Sequence, residues 1–462
     1  MRSSRTPPPP RCLATLEGHP AAVRALALSW PNGGSRTVLF SAGVKEVLQA
    51  WAIDRPPGSS GDGGGGAEDE LRPSLLCSHA APERNSQAAK ASRVQRAHAE
   101  ADSRYFAAAA APLPRGEHVL AAATSQGQLD VFVLSESDRR LLPIGRFEAP
   151  SGAVLCLEMV ALGPPASSSV DGSGGSAPVA PAPPLLVVAG DTNGGIAVWD
   201  LGALLDRRAA PPGSAHALPP RLDDAPGAPP PEMELSPCCR LQLHDFGTNC
   251  LSVLPIKGAR DTVDMDTDDG ATPSDASDMR EFVIVSGGDD ESVGLSVLHA
   301  SHSTSSEATG GGGASGVSAA LQSLGTRSGA HGAAIRGVGA LGSLVVSVGG
   351  DQRLNAWRWD EAHLHAALAA ARAATGTEGV VAPTLGWPLQ LCASRTVSIQ
   401  DVHGLCICAH GGTAVGDALA ACEAEGHGEG AAQGVSAASG AGMETIAVAV
   451  VGDGVEVVAI QC

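Results

Sequence analysis

The sequence predicts an all-β protein assembled from one antiparallel hairpin repeated along the chain, and three observations carry that expectation. Aromatic residues are only 3% of the 462, while Gly numbers 58 and Pro 33, so Ala, Val and Leu must supply the core and turns must be frequent. Apolar runs of strand length end in small residues, turn through Gly, Asp or Asn, and return as a second apolar run. Six such copies follow one another, which is the signature of a repeat architecture.

In chain order, the first copy joins 37–43 to 47–51 and the second joins 119–126 to 129–134. The third joins 185–191 to 196–200, the fourth 282–290 to 295–298, the fifth 344–351 to 354–357, and the sixth 446–452 to 455–460. Low-complexity spacers near 55–70, 163–184, 206–236, 257–280, 299–330 and 426–442 separate or interrupt them. Their composition cannot bury enough apolar surface to offset ordering, so loops or disorder are expected. A Pro-rich N-terminus, 1–11, is expected to be disordered ahead of one repeat domain over 12–462. The segment 12–17 is a candidate outer strand completing the last repeat after Ile460. Two Ala-rich stretches, 361–374 and 87–100, have the propensity of surface helices, and Trp387 falls in a spacer-like connection.

Four residues recur at fixed places in the hairpins. In the fifth copy His331 opens the repeat, Ser347 ends a strand, Asp351 sits in the turn and Trp357 follows. The first copy keeps His19, Ser41 and Trp51 with Lys45 at the Asp place. The third ends in Trp199-Asp200, and the fourth keeps Ser286 and Asp290 but puts Ser296 where the Trp belongs. The second and sixth place Phe132 and Val458 there. A buried imidazole and a buried indole N–H each need a partner, and a tight turn favours an Asx residue. The hairpins thus resemble WD repeats, which implies a β-propeller of six recognisable blades, with a seventh, degenerate or split, expected to close the ring. In WD repeats these four positions form a hydrogen-bonded His–Ser/Asp–Trp network, so their role here is expected to be scaffolding.

Several connecting phrases are similar, in collinear order, to the C-terminal part of the WD repeat-containing protein 6 family. They include 39–43 with 49–51, Arg104-Tyr105, 244–255, 351–354 with Trp357-Arg358, and 454–457. That resemblance implies an auxiliary subunit of the FtsJ-type methyltransferase that modifies the wobble ribose of certain tRNAs. It also implies further blades upstream in family members. The alternative is a generic WD-repeat adaptor, such as a substrate receptor in a signalling or ubiquitin-ligase complex.

Charge bears on the partner. Thirty basic against 49 acidic residues give a net charge of −19, whereas a nucleic-acid surface needs clustered cations to replace counterions. Any tRNA contact is therefore expected to be indirect. No run reaches the roughly 18 apolar residues of a membrane span, and the N-terminus lacks the apolar core of a signal peptide. The 11 cysteines lie in apolar runs and read as small buried hydrophobes of a reducing compartment. A cytoplasmic protein without metal or cofactor is the expectation.

Motifs that suggest chemistry fail on context. Gly337-x-Gly339-x-x-Gly342 leads from strand to strand, whereas a dinucleotide cradle needs a helix N-terminus. Asp264-x-Asp266-x-Asp268 starts like a calcium loop but has Asp269 at the Gly place and Asp275 at the final Glu place. Cys238-Cys239 and Cys406-x-Cys408 lack zinc spacing. No nucleophile elbow, phosphate loop or zinc-protease motif occurs, and no enzymatic activity is expected. One set does suggest binding. Arg24 and Arg336 stand five residues after a repeat-opening His, with Asn249 and His403 at corresponding places. At the start of an innermost strand these side chains lie near the mouth of a central channel and are candidates for a partner-docking ring.

Overall fold

A computed structural model describes residues 19, 22–29, 36–43, 47–54, 72–80, 104–113, 116–149, 152–163, 184–209, 233–256, 278–303, 316–374, 387–409, 445–451 and 455–461. The protein is an all-β propeller, and the described strands form six antiparallel sheets. The first sheet comprises β1 (Val23–Ser29), β2 (Arg36–Gly43), β3 (Val47–Asp54) and β4 (Arg72–Ala80). The second holds β5 (Tyr105–Leu113), β6 (Glu117–Thr124), β7 (Gln128–Ser135) and β8 (Arg140–Glu148). In the third are β9 (Val154–Ala161), β10 (Leu185–Asp191), β11 (Gly195–Asp200) and β12 (Cys239–Gln242). The fourth is built from β13 (Thr248–Pro255), β14 (Asp278–Gly288), β15 (Val293–Ser303) and β16 (Gly316–Arg327). The fifth contains β17 (Ile335–Leu341), β18 (Leu344–Gly349), β19 (Arg353–Trp359) and β20 (Leu389–Thr396). The sixth shows β21 (Gly404–Ala409), β22 (Thr445–Val451) and β23 (Val455–Gln461).

Every hairpin read from the sequence is the second and third strand of one sheet. In the four inner sheets these middle strands are apolar on both faces because each sheet packs between two others. In the third sheet all of β10 is buried. The first face of each sheet meets the preceding one and the second face meets the next, giving an apolar cluster at each of five successive junctions. At the junction of the fifth and sixth sheets the strands come so close that a Cβ on Gly337 would lie 2.7 Å from the Leu405 nitrogen, and one on Gly339 2.8 Å from Ile407 Cγ2. The glycines that mimic a dinucleotide motif serve this backbone approach.

Among the described residues no such cluster joins the sixth sheet to the first. In β1 the set that faces a preceding sheet elsewhere, Val23, Leu26 and Leu28, is 43%, 62% and 55% exposed. The register continues this face across the sheet as Leu28–Leu39–Trp51–Leu75, and Leu75 at its far end is again 43% exposed. Full burial of a leucine contributes about 1.5–3 kcal/mol, so Leu26 and Leu28 leave roughly 2–3 kcal/mol of it unrealised.

The structure corrects several boundaries. Much of the expected 299–330 spacer is strand: β15 runs on to Ser303 and β16 spans Gly316–Arg327, paired from Val293↔Arg327 to Ser303↔Gly316. Its Ser- and Gly-rich composition hides an alternation in which Val317, Ala319 and Leu321 pack on the core between third and fourth sheets. The expected 206–236 spacer is ordered at both ends. The helix α1 (Gly202–Ala209) occupies its start, and Met233 packs on the core between second and third sheets. The expected seventh blade is not among the described residues, where the sheets number six. Segments 12–17, 55–70, 87–100, 264–275 and 426–442 lie outside the described residues. The other Ala-rich stretch is a helix, α2 (Glu361–Ala374). Asp360 Oδ1 caps it by accepting the His363 backbone N–H at 3.1 Å, and Leu368 and Ala371 seat it on Val297 of the fourth sheet. None of the described helices is long and apolar enough to cross a membrane.

Candidate functional site

The repeat residues assemble as the sequence predicts in the fifth blade. Trp357 Nε1 donates to Ser347 Oγ at 3.0 Å, and that hydroxyl lies 2.8 Å from His331 Nε2. His331 Nδ1 lies 3.0 Å from Asp351 Oδ1. One proton arrangement satisfies all four groups: indole to hydroxyl, hydroxyl to Nε2, and Nδ1–H to carboxylate. It requires a neutral imidazole, and burial does lower the His331 pKa against the pull of Asp351. For Asp351, burial alone acts upward, but the Gly332 backbone N–H and His331 outweigh it and hold the carboxyl below its usual range. The sequence missed Asn355, whose amide donates to the Ala330 carbonyl at 2.8 Å and reaches His331 Nε2 at 3.3 Å.

The other blades vary this theme. In the first, Ser41 Oγ accepts from Trp51 Nε1 at 3.0 Å and lies 2.7 Å from His19 Nε2. In the fourth, His244 bridges Ser286 (2.8 Å) and Asp290 (3.0 Å) and also contacts Ser292 (2.9 Å). There Ser296, at the Trp place, is buried with no hydrogen-bond partner. The third blade departs from expectation. Trp199 is buried with its indole N–H unpartnered, because the place held by Ser347 in the fifth blade is Ala189. Asp200 instead accepts the Gly202 backbone N–H at 2.7 Å and starts α1. The second blade replaces the network with a buried ion pair that sequence reading missed. Arg146 donates twice to Asp130, at 2.5 and 2.6 Å, and the Tyr105 hydroxyl donates to the same carboxylate at 3.2 Å. All these groups hold strands together inside the fold.

The four candidate docking residues divide. Asn249, near the start of β13, donates to Asp289 Oδ1 at 2.7 Å and to the Ile335 carbonyl at 3.1 Å. Arg336, near the start of β17, approaches the same Asp289 oxygen at 3.8 Å, with the arginine 46% and the aspartate 43% exposed. Asn249 and Arg336 thus meet through Asp289, a residue of the turn between β14 and β15 that the sequence reading did not single out. His403 lies just before β21 and pairs with Asp401 at 3.7 Å, while Arg24 is exposed on β1. Among the described residues, Asn249 and Arg336 of these four come together, in one two-blade cluster.

Beside that cluster stands Phe246, 64% exposed, in the loop between β12 and β13. The loop is fixed from both sides. Leu243 and His244 donate backbone N–H groups to the Gly194 carbonyl, the Gln242 side-chain amide donates to the Asn193 and His244 carbonyls at 2.6 and 2.7 Å, and Asp245 donates its N–H to Asp290 at 3.1 Å. Across the loop, Asp289 donates its N–H to the Gly247 carbonyl at 2.9 Å. Gly194 takes φ +85°, and a Cβ there would lie 2.3 Å from the carbonyl oxygens of His244 and Phe246, so only glycine fits.

No protein-family model and no curated protein matches the chain. Among solved structures it is similar to a chain of the Apo ctPRC2 structure in an autoinhibited state, with 10% identity over 84% of this chain and 63% of that one, at a TM-score of 0.41. A chain of the Chaetomium thermophilum Polycomb Repressive Complex 2 bound to GSK126 has 9% identity over 86% and 67%, at 0.43. A humanized mutant of that complex bound to the same inhibitor has 9% identity over 95% and 67%, also at 0.43. This chain spans less than two thirds of the length of the first of these.

Proposed function

We propose that this propeller is a non-catalytic docking module that holds a protein partner at the end where its innermost strands begin. One observation carries the reading. The imidazoles and carboxylates that the repeats place together are consumed by buried strand-to-strand bonds, whereas Arg336, Asp289 and Phe246 stand exposed on a fixed rim. Exposed aromatic and arginine side chains on a pre-organised surface are the residue types on which binding energy concentrates.

The sequence phrases favour a particular partner, an FtsJ-type tRNA methyltransferase, with the propeller as its auxiliary subunit in the cytoplasm. The net charge of −19 then assigns the tRNA contact chiefly to the enzyme. Reconstitution tests this. The purified chain is expected to lack methyltransferase activity and to bind tRNA weakly, and adding the enzyme is expected to yield a complex that methylates the wobble ribose. Tight tRNA binding by the chain alone overturns the charge argument. Failure of the two proteins to associate overturns the choice of partner and leaves the generic adaptor reading.

A further inference from the structure

We infer that Phe246 and the carboxylates around it form a docking surface for a polypeptide segment carrying an apolar residue between lysines or arginines, an inference that rests on the docking-module reading. Phe246 is the most exposed large apolar side chain among the described residues, and the only aromatic among those exposed. A mobile tip would order its aromatic only on binding, at an entropic cost. Here the backbone is already held: His244 before it is buried on Ser286 and Asp290, and Gly247 after it accepts from Asp289. Burying the ring against a partner therefore costs little beyond the partner's own ordering.

Charge selects the partner. Asp245, beside Phe246 in the loop, and Asp289 and Glu291, in the turn that bonds Gly247, are all exposed, and Arg336 reaches Asp289. Glu291 takes φ +62°, in the turn position that the third blade fills with Gly194. A left-handed glutamate is less favourable than glycine there, and it adds a carboxylate to the rim. Phosphate backbones are repelled by this flank, while a basic segment gains complementary contacts around an apolar anchor.

Fluorescence anisotropy with three labelled short peptides tests the surface. One carries a central Leu flanked by Arg and Lys, a second replaces the flanks by Glu, and a third replaces the Leu by Ser. The full chain is expected to bind the first at least about tenfold more tightly than either of the others, a difference of about 1.4 kcal/mol. Phe246→Ala is expected to abolish the preference for Leu over Ser, and Asp245→Lys with Glu291→Lys to reverse the preference between basic and acidic flanks. Because these side chains are exposed, the melting temperatures of the variants should match that of the parent. Equal binding of all three peptides, no binding of any, or undiminished binding by Phe246→Ala overturns the surface. Cross-linking the full chain to the FtsJ-type enzyme separates the two levels. Association unchanged by Phe246→Ala, with cross-links elsewhere, sinks this surface and leaves the docking-module reading standing.

Discussion

Replacing Ser347 by Ala isolates the hydrogen-bonded network of the fifth blade. The hydroxyl is fully buried and serves two groups, accepting from Trp357 Nε1 at 3.0 Å and facing His331 Nε2 at 2.8 Å. Without it the indole N–H is buried and unpaired, which costs about 1–3 kcal/mol. The imidazole keeps Asn355 at 3.3 Å, so its loss is smaller. A net destabilisation of about 2–3 kcal/mol follows, or a fall in Tm of roughly 2–3 °C for a chain of this size. The fourth blade supplies the control, since the Ser296 hydroxyl is buried without a partner and Ser296→Ala should be neutral or stabilising by up to about 1 kcal/mol. Both variants are compared by calorimetry. A double-mutant cycle of Ser347→Ala with Trp357→Phe should show a coupling of about 1 kcal/mol. Equal shifts for the two Ser→Ala variants, or zero coupling in the cycle, would refute the network as a source of stability.

Ala189→Ser places an acceptor where Ser347 stands in the fifth blade, and should stabilise by about 0.5–1 kcal/mol by pairing the Trp199 indole; an unchanged or lowered Tm rejects the equivalence of the two blades. Burial holds the His244 and His331 imidazoles below their ordinary value of 6.5, so the unfolded chain takes up protons more readily. Their contribution is complete above pH 6.5 and is lost as the pH falls through the folded value, so in a Glu158→Gln background, which removes the opposing carboxyl, denaturant midpoints should drop from pH 7.5 to 5.5, and a rise there contradicts this. Glu158 behaves oppositely, because burial raises its pKa from 4.5 to about 7. The stability it permits is present below pH 4.5 and lost as the pH rises through about 7, so Glu158→Gln should raise Tm at pH 8 and leave it nearly unchanged at pH 4.5, with equal shifts at both refuting the assignment.

The middle strands of every blade were legible because burial on both faces writes a continuous apolar run, as in β10 and β18. The outer strands were not. One face of β16 looks outward, so its Ser, Ala and Gly read as a spacer although the strand pairs with β15 along its length, with one bulge at Leu324. Trp387 was hidden in the same way, since it packs on the core between the fourth and fifth sheets from a stretch without strand patterning. The repeat residues of the fifth blade were legible as a set because the network needs fixed residue types at fixed places. The Arg146–Asp130–Tyr105 group carries no such periodic mark, and only the fold brings β5, β7 and β8 together around one carboxylate. Asn249 and Arg336 were found by their offset from a histidine. Asp289, which joins them, sits in a turn whose acidic residues look interchangeable until the turn is folded.

The exposed leucines on the outer face of the first sheet bear on how the molecule comes apart. A closed circle of blades has no end, and losing any one of them sacrifices two junctions. Among the described residues, six sheets joined by five packed junctions are instead a line, whose stability approaches a sum of nearest-neighbour terms. Each terminal blade then opens by giving up a single junction, while the third and fourth must break two. Amide hydrogen exchange should accordingly be fastest in β1–β4 and β21–β23 and slowest in β10, β11, β14 and β15, falling off from the ends toward the middle. A partner or chain segment that covered Leu26 and Leu28 would turn the line into a circle and slow exchange at both ends at once.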